Sequence, residues 1–382
     1  MNLQDARDRL RLARTEGVGP VTYRRLLRRF GSAAAALDAL PHLARAGGRA
    51  NAPSVPPVSD IDREMERLHR VGGRMLFLDG PDYPPLLALL DDAPPALAVL
   101  GRIDALSARA VGVVGARNAS ANGRRMAEKL AAALAGARLV VVSGLARGID
   151  AAAHEGALAS REGLTVAAVA GGLDVPYPPE HARLQQRIAE QGAVITEAPL
   201  GTAPQSRHFP RRNRLIAGLS LGVVVVEAAL RSGSLVTARL AQEVGREIFA
   251  VPGSPLDPRC RGSNDLIRQG AHLTETEADV LANLPDHPLR QGIARDPLFA
   301  RGPAPASADH PPEPVPEPPP VAEVASGRQQ VLDLLGPSPT SVDDLVRRCQ
   351  LSAAAVMAVL LELELAGRVE MLPGNRVLLI AG

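Results

Sequence analysis

Between residues 110 and 251 short apolar runs recur, each ending in glycine or a polar turn. They lie at 110–114, 139–142, 165–170, 193–196, 223–227 and 247–251. Each run is rich in Val, Ile or Ala and does not alternate with polar residues. That is the pattern of strands buried on both faces. Most gaps hold 10–20 helix-compatible residues, such as 123–135 and 235–243. The alternation predicts an α/β fold with a doubly wound parallel sheet. Such sheets take ligands beyond the carboxyl ends of their strands.

The ends of the chain have helical patterns. Helices are expected over 3–12 and 21–30, with Gly17-Val18-Gly19-Pro20 between them. Glycine permits the tight turn and proline suits a first helical turn. This resembles half of a helix-hairpin-helix, with Arg24, Arg25, Arg28 and Arg29 on its second helix. Two readings stay open, a weak DNA contact or a small bundle with a solvated basic face. At the far end, helices over 329–335, 342–349 and 353–366 precede a hairpin, 368–372 with 376–380 across Pro373-Gly374-Asn375. Three helices and a wing suggest a winged helix. DNA readers of that class carry basic and polar side chains on the third helix. Here it has Glu362 and Glu364 and neither Arg nor Lys. Protein contact or a structural role is therefore expected of it. Twelve prolines between Pro285 and Pro320 read as an extended tether. The expected organisation is a helical domain at 1–75, a Rossmann-like domain at 76–282, a Pro-rich linker at 283–326 and a winged-helix-like domain at 327–382.

The net charge of +2 hides opposing segments: residues 1–50 carry +6, 51–100 carry −4 and 101–281 carry +4. Of the 43 basic residues all but Lys129 are arginine, and Lys129 follows Glu128. A Gly-rich phosphate loop ending in Lys-Ser/Thr is thereby excluded. Cys260 and Cys349 form neither a disulfide framework nor a zinc motif. No apolar leader and no membrane span is visible, so a cytoplasmic protein is expected.

The turns after the strands carry the candidate chemistry. They read Gly115-Ala116-Arg117, then Ser143-Gly144-Leu145-Ala146-Arg147-Gly148-Ile149-Asp150, then Gly171-Gly172-Leu173-Asp174, then Ser232-Gly233-Ser234. Small residues let backbone N–H groups approach phosphates, and arginines grip phosphate oxygens in pairs. The run Arg207-His208-Phe209-Pro210-Arg211-Arg212-Asn213-Arg214 sets four arginines beside one of only eight aromatics. Arginine neutralises phosphate and an aromatic face stacks on a base. The bland alternative is a solvated loop or an internal ion pair.

These blocks resemble the DprA (Smf) DNA-processing family from about residue 78 to 278. They are Tyr83-Pro84, Val113-Val114-Gly115-Ala116-Arg117, the 143–150 turn with Ala153-His154, Tyr177-Pro178, 209–220, Val226-Glu227-Ala228, Val251-Pro252-Gly253 and Gly262-Ser263-Asn264. The resemblance implies an extended Rossmann-like domain, often between a helical domain and a winged helix. It implies sequence-independent binding of single-stranded DNA, protection of incoming strands in natural transformation, and loading of the recombinase RecA. It further implies a homodimer through the Rossmann-like domain, no cofactor and no catalytic turnover. Carried onto this chain, the nucleic-acid site comprises Arg117, Ser143, Gly144, Arg147, Gly148, Phe209, Arg211, Arg212, Asn213, Arg214, Ser232 and Gly233. His154 is expected to be structural, and Glu197 and Glu227 to satisfy amides or arginines.

Two rivals remain. One is a nucleotide phosphoribohydrolase-like enzyme, known by Pro-Gly-Gly-x-Gly-Thr-x-x-Glu, whose glutamate is missing from the stretch Arg231 to Arg239. The other is a nucleotide sensor using the same pocket. Strand binding is expected to weaken with salt, to weaken when Arg212 and Arg214 become Ala, and to survive deletion of 321–382.

Overall fold

The computed structural model describes residues 1–49, 51–286, 321–336, 338–349, 351–372 and 375–380. The expected linker lies mostly outside the described residues, as do Pro373 and Gly374 of the expected hairpin turn. Four helices come first: α1 (Leu3–Arg14), α2 (Pro20–Phe30), α3 (Ala33–Ala46) and α4 (Val58–Arg70). Strand β1 (Gly73–Phe77), the short α5 (Pro85–Ala88) and β2 (Ala96–Gly101) follow. The alternation then runs β3 (Ala110–Val114), α6 (Ala121–Gly136), β4 (Val140–Ser143), α7 (Ile149–Ala159) and β5 (Thr165–Ala168). It continues through α8 (Ala182–Gln191), β6 (Ala193–Thr196), α9 (His208–Leu219), β7 (Gly222–Val225) and α10 (Gly233–Glu243). It closes with β8 (Glu247–Ala250), α11 (Arg261–Arg268), β9 (His272–Leu273) and α12 (Glu277–Asn283). The C-terminal residues form α13 (Val321–Leu334), β10 (Thr340–Ser341), α14 (Val342–Cys349), α15 (Ala353–Leu365), β11 (Val369–Leu372) and β12 (Arg376–Leu379).

The chain divides into two compact units, one of Arg63–Leu90 with Ala96–Ala300, the other of Met1–Asp62, Asp91–Pro95 and the C-terminal residues. The first unit is built on a sheet of order β1-β2-β6-β5-β4-β3-β7-β8-β9. From β6 to β9 all neighbours are parallel, while β1 and β2 add an antiparallel edge. Each of β3 to β7 is wholly buried, because helices cover both faces. The helices α6 and α7 pack alanines, such as Ala127, Ala131, Ala153 and Ala157, against Val111, Val113 and Val141. Strand order reverses at β3, whose neighbours are β4 on one side and β7 on the other. The doubly wound parallel sheet is thus as expected. The antiparallel strands β1 and β2 are additions that the apolar runs did not signal. The arginine run is also not a loop, since α9 starts at His208 and carries it in its first turns.

In the second unit α15 carries buried apolar residues on more than one side, as a helix must when it is covered on more than one side. One side meets Val331, Leu345, Val369 and Val377 of the winged-helix core, whose wing β11–β12 is joined by β10. Leu361 and Leu365 enter the core of the N-terminal helices, beside Leu12, Tyr23, Leu26 and Leu40. Gly47 sits so close that a Cβ there would come 2.0 Å from the Glu362 carbonyl oxygen. Arg328 donates to Glu362 at 2.6 Å, and Arg25 lies 3.9 Å from Glu364. Burial raises the Glu364 carboxyl above its usual range and lowers Arg25. The two carboxylates of α15 are thus internal pairing groups.

Candidate nucleic-acid interface

The site lies at the carboxyl ends of β3, β4 and β5, where the strand–helix turns converge. The 143–150 turn needs its glycines. Gly148 has φ +78°, and a Cβ there would fall 2.2 Å from the Ala116 carbonyl oxygen. Glycine alone adopts that conformation without strain. A Cβ on Gly144 would collide with the Arg212 guanidinium at 1.6 Å. The Gly144 N–H donates to Asp150 at 3.2 Å, and Ser143 spends its hydroxyl on the Val113 carbonyl at 2.6 Å. Those two groups are therefore committed to holding the turn.

Below the turn Arg212 and Asp150 are both buried. Arg212, 6% exposed, donates to the Ala168 carbonyl at 2.9 Å. Burial lowers it to about 10, so it stays charged at neutral pH, with Asp150 opposing the fall. Burial pushes the Asp150 carboxyl up, against the attraction of Arg212. His154 shares its Nδ1 with the Thr165 hydroxyl at 2.7 Å, and burial holds the imidazole down at about 3. It is neutral and structural. Arg214 is likewise internal, donating to both Glu197 oxygens at 2.6 Å.

Above this floor is the exposed part. The Arg117 guanidinium stands 4.9 Å from the Phe209 ring centroid, and that of Arg212 stands 6.0 Å from it on the buried side. Tyr177 lies 5.6 Å from Phe209 with the rings tilted by 58°. Arg117, Arg147 and Arg211 are exposed, and Phe209 is half-buried. Arg147 pairs with Glu180, which raises the arginine and lowers the carboxyl. To the other side, Ser232 caps α10 through Ser234, and a Cβ on Gly233 would meet open space. Asn213 donates weakly to the Gly233 carbonyl at 3.4 Å, tying α9 to that turn.

The sequence-expected residues thus fall into two layers. Arg117, Arg147, Phe209, Arg211 and the Ser232–Gly233 turn reach the surface. Ser143, Gly144, Arg212, Asn213 and Arg214 lie beneath, with Gly148 shaping the turn. The expectation that Arg212 and Arg214 grip phosphate must contend with their burial and their internal acceptors. Glu180 was not anticipated, and no local pattern marks it. Tyr177 was visible as part of the Tyr177-Pro178 block, without a place in the site.

A doubly wound sheet with small-residue turns and exposed arginines at its strand ends defines an α/β protein of the Rossmann-like class. Comparison narrows the class. The family model described as DNA recombination-mediator protein A matches residues 74–285. Those for the DprA-like N-terminal HHH domain and the DprA winged helix domain match 3–66 and 315–375. The chain belongs to the DprA/Smf family. It is 39% identical to Protein Smf of Escherichia coli over 322 residues, 84% of this chain and 81% of that protein. A solved structure of DNA processing protein A from Streptococcus pneumoniae is similar with a TM-score of 0.57 at 41% identity, covering 61% of this chain and 80% of that one. The Helicobacter pylori protein, whose structure is described for its single-stranded DNA binding mode, is similar with a TM-score of 0.50 at 30% identity, covering 56% and 95%.

Proposed function

We propose that this chain binds single-stranded DNA without sequence preference and acts in DNA processing without catalytic turnover. The observation that carries the reading is the Phe209 ring beside Arg117 and Tyr177, next to exposed Arg147 and Arg211. An aromatic face accepts any base, and guanidinium groups accept any phosphate, so the combination is indifferent to sequence. The described single-stranded DNA binding of the Helicobacter pylori relative supports it. Protection of incoming strands, loading of RecA, a homodimer through the Rossmann-like domain and a cytoplasmic setting rest on family membership alone and complete the proposal. Direct contact falls to Arg117, Arg147, Phe209, Arg211 and the Ser232–Gly233 turn. Ser143, Gly144, Gly148, Arg212, Asn213 and Arg214 hold that surface in place.

Fluorescence anisotropy with labelled oligo-dT tests this. Phe209→Ala removes a stacking face worth about 1–3 kcal/mol, a loss of roughly five- to 150-fold in affinity. Arg117→Ala should weaken binding with an unchanged melting temperature. Arg212→Ala should weaken binding only together with a lower melting temperature, since it removes the buried hydrogen bond to the Ala168 carbonyl and the cation that attracts Asp150. Wild-type affinity in both Phe209→Ala and Arg117→Ala would reject the site.

A further inference from the structure

In doubly wound sheets a phosphate sits where strand order reverses, at the N-terminus of the helix after the first parallel strand. In this chain that place is the start of α6, between β3 and β7. It is already filled. Glu227, two residues beyond the end of β7, reaches across the crevice. Its Oε2 accepts the Ser120 N–H at 2.9 Å, and its Oε1 accepts the Ser120 hydroxyl. Ser120 is the cap of α6, and its Oγ accepts the Gly123 N–H at 2.8 Å. The carboxylate presses so closely on the helix that a Cβ on Gly123 would stand 2.4 Å from the Glu227 Cδ. Glu227 is only 6% exposed.

We infer that Glu227 is a built-in anion that excludes phosphate from the switch point and so decides against nucleotide ligands. A carboxylate and a phosphate ask the same things of a helix N-terminus: free N–H donors and the positive end of the dipole. Two anions in one seat repel each other, and a phosphate would also have to displace a buried, doubly hydrogen-bonded group. With the crevice closed, the exposed arginines and Phe209 stand on the β4 and β5 side of β3 instead. Ligands are met there by an open surface that follows a strand, not by a seat that encloses one nucleotide. The glycine at position 123 is required for the plug, since any side chain there would push the carboxylate out.

The experiment compares the full chain with Glu227→Gln and Glu227→Ala, using inorganic phosphate and AMP as probes in calorimetric titrations. The glutamine variant is isosteric and keeps an acceptor for the Ser120 N–H, so the fold is retained and only the charge is lost. It should bind both probes at least tenfold more tightly than the wild type, and the alanine variant more tightly still. Ser120→Ala, which removes an anchor but keeps the charge, should show no such gain. Oligo-dT affinity, read in parallel, should change less than threefold in Glu227→Gln, which separates this inference from the strand-binding proposal. The inference is overturned if a folded Glu227→Gln variant binds phosphate and AMP no better than the wild type, or if the wild type already binds AMP as tightly.

Discussion

His154 shows how a single side chain beneath the candidate surface shapes the behaviour of the protein. In an unfolded chain its imidazole titrates near 6.5, while in the fold burial, with Arg212 and His181 adding repulsion, holds it at about 3. Between those values the unfolded chain binds the extra proton. Stability conferred by the neutral ring is therefore complete above about 6.5 and is lost progressively as pH falls towards 3. His154→Gln should flatten that limb, measured as urea midpoints between pH 7 and pH 4. Parallel curves for the two proteins would show that another group governs acid unfolding. Arg212 carries a related lesson. Its charge, spacing and neighbours are those of a phosphate ligand, yet its position in the second turn of α9 turns it under Gly144. Charge was legible in the sequence, but direction was not, because direction depends on where the helix begins.

At the scale of elements, β3 to β8 could be located from short runs rich in Val, Ile and Ala, and β3 to β7 are covered on both faces. The edge strands β1 and β2 eluded the same reading because β1 is interrupted by the exposed Arg74 and β2 is an Ala- and Leu-rich run that a helix could use equally well. The start of α9 was hidden by His208-Phe209-Pro210, although proline is well placed in a first turn. In α15 the decisive sign was in plain view: Leu360, Leu361, Leu363 and Leu365 cannot share one face of a helix. A chain ending before residue 321 should keep its affinity for oligo-dT, because the candidate surface lies in the other unit. Without α15 the N-terminal helices lose Leu361 and Leu365, each worth about 1.5–3 kcal/mol of burial. Amide hydrogen exchange should accordingly quicken in α2 and α3 of the truncated chain. Unchanged protection there would mean that these helices are stable alone.

For the whole molecule, the near-zero net charge says little, and the local distribution says more. Few aromatics leave strand binding dominated by phosphate charge. Three exposed arginines at the surface correspond to a slope of about −2 in log affinity against log salt. Arg117→Ala should reduce that slope by about 0.7. A slope near zero in the wild type would place the binding energy elsewhere. Among the described residues no helix is long and apolar enough to cross a membrane. The pairing of the two chain ends in one unit has a mechanical meaning. Tension between the N-terminal helices and α15 is borne by the packing of Leu361 and Leu365 among those helices, as a clasp bears it before the cord. The nine-stranded sheet is thus shielded from tension at either terminus until that clasp has opened.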